Sequence, residues 1–199
     1  MSEDFAPTNL TNHFLIAMPG LRDEVFSRSV VYVCEHSERG ALGLVINKTC
    51  DIDLRRLFEK VDLPLRRADL SNAPVFQGGP VQTERGFVLH EHIFPDADRP
   101  IETAYASSLS IPGGLEMTTS KDVLEALASG AGPRKVLVSL GYAAWGEGQL
   151  ESELSDNSWL TVAARNSIIF DTPVAQRYDQ ALLLLGFESW MLSPDVGHS

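Results

Sequence analysis

SVVYVCEHSERGALGLVIN, residues 29–47, sets two apolar runs on either side of a short polar turn. SVVYVCEH (29–36) and ALGLVIN (41–47) read as strands, and SERG between them is a four-residue turn ending in Gly40. The two runs therefore pair as an antiparallel hairpin. Gly43, inside the second run, marks a bulge or a close packing contact.

Further strand-like runs occur at HFLIAM (13–18), PVFQ (74–77), GFVLH (86–90), KVLVSL (135–140) and WLTVAA with SIIF (159–170). Helical patterns lie between them. Leu54, Leu57, Phe58 and Val61 follow the spacing of one helix face, after an N-cap at Asp51 or Asp53. A second stripe pairs Val123 with Leu127 and Leu124 with Ala128. It starts at Thr119 or Ser120, has Asp122 placed for a capping box, and stops at Gly130. The longest helix is expected from Thr172, with Pro173 as its first residue, to Gly186. Residues 62–73 and 94–104 read as loop. Hairpins coexisting with helical crossovers argue for an α+β fold with a mixed, strongly bent sheet.

The chain has 199 residues and is 44% hydrophobic, and no internal repeat or linker divides it. A domain of that size buries roughly 70% of its unfolded surface and needs no staple. One domain over 1–199 is expected, with 1–12 and 193–199 frayed at the polar ends. FLIAM (14–18) and ALLLLG (181–186) are too short to span a bilayer, and no basic segment precedes the first, so a cytoplasmic protein is expected.

Sixteen basic residues against 27 acidic ones give a net charge of −11, a sign that repels phosphate backbones. The densest basic group, Arg55, Arg56, Lys60, Arg66 and Arg67, reads as a solvated helix face, and no nucleic-acid-binding motif accompanies it. Direct nucleic-acid binding is disfavoured.

Chemistry-bearing residues are few. Cys34 and Cys50 form neither a CxxC nor a zinc spacing. Cys34, with His36 two residues on along a strand, is the candidate reactive thiol, against the plainer reading of a buried one. His90 and His92 in LHEH could face one side of a strand, but a metal site needs a third ligand, such as Glu91 or His36. No metal or cofactor is expected. FQGGPV (76–81) places Gly78 and Gly79 before Pro80. Their amides could form an anion nest, but a bend into the next strand is the favoured reading.

GYAAWGEGQLESELSDNSW, residues 141–159, is the oddest stretch. Gly141 ends a strand, AAWGEG turns the chain, and Gln149–Ser155 forms a short helix with Leu150 and Leu154 inward. Asn157 suits a left-handed C-cap before Trp159 opens the next strand. Trp145, Gln149 and Glu151 could rim a pocket, because loops carry sites.

HFLIAMPGLRDEVFSRSVVYVCEHSERGALGLVINK, FQGGPV, FVLHE and GYAAWGEGQLESELSDNSWL together resemble the YqgE/AlgH family of bacterial proteins, over about residues 13–186. The resemblance implies one α+β domain whose bifurcated sheet curls into a pseudo-barrel flanked by helices. Members are cytosolic and largely uncharacterised, and one family name derives from a proposed role in transcriptional regulation of alginate synthesis. The expectation is a non-enzymatic binding or regulatory protein with an unknown protein or small-ligand partner. Its surface would include Gly78, Gly79, Pro80, Trp145, Gln149 and Glu151. The alternative is a small-molecule hydrolase using the Gly78–Gly79 turn as a cradle, with His36 or His90 as base.

Overall fold

β1 (His13–Ala17) is followed by the hairpin that the sequence predicts, made of β2 (Val30–Ser37) and β3 (Gly40–Val45). Ser37 pairs with Gly40, so the turn proper is only Glu38 and Arg39. The computed structural model describes residues 9–92 and 105–192. Of the ends expected to fray, 1–8 and 193–199 lie outside them, but 9–12 lie inside and are tied down: Leu10 is buried and its amide donates to His36 Nδ1, and Asn12 Oδ1 accepts from the Tyr32 hydroxyl. The predicted loop at 94–104 lies outside the described residues altogether.

Next come β4 (Thr49–Asp53), α1 (Leu54–Lys60), β5 (Pro74–Gln77) and β6 (Val81–Glu91). β7 (Ser108–Ile111), β8 (Leu115–Thr118), α2 (Lys121–Ala128) and β9 (Val136–Trp145) follow. The chain finishes with α3 (Gln149–Ser155), β10 (Trp159–Ala163), α4 (Asn166–Phe170) and α5 (Arg177–Leu183). The strands run β10-β1-β2-β3-β9-β6-β8-β7, with β5 paired to β9 and β4 to β5. Every pairing is antiparallel except β5 with β9, so the sheet is mixed and the fold α+β.

β9 is where the sheet divides. One edge pairs with β6 along its length. On the other edge Ser139 and Leu140 pair with β5, whereas Ala143 to Trp145 pair with β3. Gly141, at φ +78°, sits between these two partners. The expected strand end at Gly141 is thus corrected: the strand runs on to Trp145, and the glycine is the branch point. Left-handed backbone favours glycine there, and a Cβ would stand 2.5 Å from the Gly79 carbonyl oxygen.

Both faces of β1 and β2 are covered, which is why their sequences are continuously apolar. Phe14, Ile16, Tyr32 and Cys34 face a core closed by Ile168 and Ile169 of α4 and Tyr178 and Leu182 of α5. Leu15, Val31 and Val33 face a second cluster with Trp145, Trp159 and Leu150 of α3. Leu54 and Phe58 of α1 and Val123 and Leu127 of α2 cover Val88 of β6 and Val138 of β9 in a third. Burying one Leu or Phe of this kind is worth about 1.5–3 kcal/mol.

Local signals mostly hold. Asp53 caps α1, its carboxylate accepting from the Arg56 amide at 2.9 Å. Asn157 adopts φ +58° and Gly186 φ +79°, the left-handed helix ends predicted for Asn157 and for a stop at Gly186. Gly43 is a contact site: a Cβ would stand 2.6 Å from Val31 Cγ1. The bulge lies opposite, between Val33 and Glu35.

Three expectations are corrected. SIIF is not strand but helix α4, because a short apolar run suits either element when both are buried. No helix starts at Pro173: its ψ of 139° is extended, and a 3-10 turn at Val174–Gln176 precedes α5. The capping box at α2 is not made. Asp122 instead accepts from the Ala106 amide at 2.8 Å, tying down the incoming chain.

Candidate functional site

The Gly78–Gly79–Pro80 bend carries β5 into β6 beneath the branch of β9. The Gly78 amide donates to Leu140 O at 3.0 Å, and its carbonyl accepts from the Val45 amide at 2.9 Å. A Cβ on Gly78 would lie 1.9 Å from Ser139 Oγ, and one on Gly79 2.2 Å from the Tyr142 carbonyl. With the Gly78 amide committed, the pair is a bend pressed against β9, not an anion nest.

Beside the bend opens a cleft of about 440 Å³, lined by Gly79, Pro80, Lys48, Cys50, Glu24 and Val25 among others. Val45 and Leu140 supply apolar wall. Lys48 Nζ donates to Val25 O. Burial pulls the Lys48 pKa below its ordinary value, against the opposing pull of Asp23. Burial, with Asp51 adding to it, pushes the Cys50 thiol up. Lys48 precedes β4 and Cys50 lies within it, a strand too short and polar to announce itself, so sequence reasoning passed over Lys48 and gave Cys50 no role. The lysine that ends LVINK was the available signal.

The residues around 141–159 make a separate corner. Trp145 and Trp159 meet edge to face at 6.1 Å, with Phe26 stacked on Trp145 at 6.0 Å. Both indole N–H groups donate to Glu153 Oε1, at 3.4 and 3.2 Å. Gln149 Oε1 accepts from the Gly146 amide at 3.0 Å, closing the turn. Trp145 is only 4% exposed. Neither Trp145, Gln149 nor Glu151 lines the cleft at Gly79. The structure therefore does not bring the two halves of the predicted surface together.

Glu151 reaches His36 instead, with Oε1 2.6 Å from Nε2. His36 Nδ1 accepts from the Leu10 amide at 3.0 Å, so the proton sits on Nε2 and points at the carboxylate. That bond holds the Glu151 carboxyl below its ordinary pKa. The bulge also separates His36 from Cys34. Alternation would put both on one face, but the shifted register leaves Cys34 in the first core and turns His36 towards Leu10 and α3. Cys34 is 2% exposed, and burial, with Glu35 adding to it, pushes its thiol far up. This is the environment of an inert cysteine rather than a reactive one.

His90 is fully buried in a relay with a defined direction. Its Nδ1 donates to Glu91 O at 2.8 Å, so Nε2 accepts from Thr118 Oγ1 at 2.8 Å, and Ser108 Oγ donates to Thr118 at 2.7 Å. Burial is the main cause that lowers its pKa, opposed by the Glu91 bond and by Glu116. His92 pairs not with Glu91 or His36 but with buried Glu116, at 2.8 Å. Among the described residues no three His, Cys, Asp or Glu side chains are grouped to hold a metal. Neither His36 nor His90 lines the cleft at Gly79, so the hydrolase alternative gains no base there. No helix among the described residues is long and apolar enough to cross a membrane.

Comparison with known proteins agrees with this architecture. The family model described as AlgH-like matches residues 14–190. The chain is similar to the UPF0301 protein of Albidiferax ferrireducens, 82% identical over 100% of both chains, and to that of Variovorax paradoxus, 73% identical over the same share. Among solved structures, the solution structure of the AlgH protein from Pseudomonas aeruginosa matches with a TM-score of 0.74 and 46% identity, covering 98% of each chain. A crystal structure of a Corynebacterium diphtheriae protein, 19% identical, matches with a TM-score of 0.66 over 86% of this chain and 84% of its own. At that identity the likeness speaks for the fold alone.

Proposed function

The chain belongs to the AlgH-like family, and on that premise we propose that it is a cytoplasmic binding protein with a regulatory role, whose ligand site is the cleft beside Gly79 and Pro80. The observation that carries the reading is the cleft itself. About 440 Å³ of partly apolar space is bounded by a rigid bend and supplied with one partly buried ammonium, that of Lys48. Volumes of 300–1,000 Å³ with a few convergent polar groups are what small-ligand sites offer. Regulation acts through that ligand or a protein partner rather than through DNA, because a net charge of −11 opposes a phosphate backbone.

The test is a metabolite-wide thermal-shift screen on the protein and on Val25→Trp. Val25 is 41% exposed and lines the cleft, so the indole fills the space without disturbing the core. A ligand that binds only the folded form raises its stability by RT ln(1 + [L]/Kd). The reading expects at least one stabiliser whose effect disappears in Val25→Trp. A screen in which every stabiliser acts equally on both proteins contradicts it, and so does turnover of a metabolite by the purified chain.

A further inference from the structure

A second cleft, of about 390 Å³, opens on the other side of β5 and β9, where α4 and the start of α5 pack against the sheet. Arg177 lies in its wall and is 6% exposed. Its Nε donates to Thr172 O at 2.9 Å and its Nη1 to Ile46 O at 2.7 Å, with the guanidinium 5.1 Å from the centre of the Phe76 ring. These bonds use two of the five N–H groups an arginine carries. Nη2 makes no hydrogen bond among the described residues and is not sealed from solvent, and Arg177 lines the cleft.

Among the described residues no carboxylate lies within ion-pair distance of Arg177 or of Arg134, which lines the same cleft. The two aspartates in the lining are already taken, Asp69 by Arg67 at 2.7 Å and Asp171 by Lys135 at 2.7 Å. Burial pulls the Arg177 pKa down to about 10. A buried cation with carbonyls but no counter-ion is costly unless an anion joins it. Among the described residues Arg177 is the one buried arginine.

We propose that this cleft binds a small organic monocarboxylate, its carboxylate held between Nη2 of Arg177 and the guanidinium of Arg134. Its carbon skeleton lies on the wall of Phe76, Ile169 and Phe170. A monoanion is favoured over a phosphate dianion because Asp69 and Asp171 stand in the lining and repel the second charge. The site is distinct from the cleft at Gly79 and does not depend on it.

The probes are phenylacetate, phenylacetamide and phenyl phosphate, read by thermal shift and by NMR of the arginine side-chain N–H groups. Phenylacetate is expected to saturate at millimolar concentration or below and to shift the Arg177 side-chain resonance. Phenylacetamide does neither, and phenyl phosphate binds more weakly. Arg134→Gln, at an exposed position that leaves the fold intact, weakens phenylacetate about tenfold, as loss of one charge-assisted contact does. Arg177→Lys keeps a charge without the fork and weakens it at least as much. Val25→Trp leaves phenylacetate binding unchanged. Equal binding of the amide, tighter binding of phenyl phosphate, indifference to Arg134→Gln, or no saturable phenylacetate effect would each overturn the proposal.

Discussion

Gly141 presses against Gly79: a Cβ on Gly141 would stand 2.5 Å from the Gly79 carbonyl oxygen. This contact joins the point where β9 changes partners to the bend that walls the first cleft, and it gives Gly141 a structural role.

Gly141→Ala is therefore expected to destabilise the protein by about 2–4 kcal/mol, adding a left-handed backbone cost to a backbone clash. Urea unfolding reads this as a lower midpoint at unchanged slope. Gly86→Ala is the control: Gly86 lies in β6 with nothing within 4 Å of an added Cβ, and the substitution costs nothing measurable.

Glu151 is tied to His36 but its side chain is 43% exposed, so solvent screens the pair. Glu151→Gln is expected to cost on the order of 0.5 kcal/mol at pH 7. The carboxyl pKa is lowered in the folded state, so this contribution is present above its unfolded value of about 4.3 and fades as pH falls through the lower folded value. Melting temperatures of the two proteins should differ by a constant amount from pH 7 to 5 and converge below about 4.

The sign is different at His90, a base whose folded pKa burial lowers. The unfolded chain takes up the proton first, so stability falls as pH drops below about 6.5. His90→Asn keeps a donor for Glu91 O but gives Thr118 no ring acceptor. It should lower stability throughout and flatten the profile between pH 7 and 5.5, measured by urea midpoints across that range.

Much of this was legible in advance because it is local. The 29–47 hairpin, the Asp53 cap, the Gln149–Ser155 helix and the αL residue at Asn157 each depend on neighbours a few positions away. What the sequence concealed depends on distant partners. Gly141 looks like a strand end because nothing nearby reveals that β5 hands β9 over to β3 there. The bulge that parts His36 from Cys34 shows only against the register of β3. The Gly78–Gly79 pair and the Trp145–Glu151 corner are adjacent to one strand yet face different spaces, which no spacing rule reports. Arg177 drew no notice because its isolation from carboxylates is a fact of three dimensions.

The two cysteines give a chemical check. Cys34 is sealed in the core and Cys50 is half-buried in the wall of the first cleft. An aromatic disulfide reagent should titrate one thiol in the native protein, slowly and faster as pH rises, and the second only on unfolding. Cys50→Ser should abolish the native reaction, whereas Cys34→Ser leaves it intact.

The most direct test of the binding account is an amide NMR titration of the ligand that the Val25→Trp comparison selects. The largest shifts are expected on Val25, Lys48, Cys50, Gly79 and Thr83, around one cleft. Shifts centred instead on the Trp145–Glu151 corner, with Lys48 and Gly79 unmoved, would contradict it.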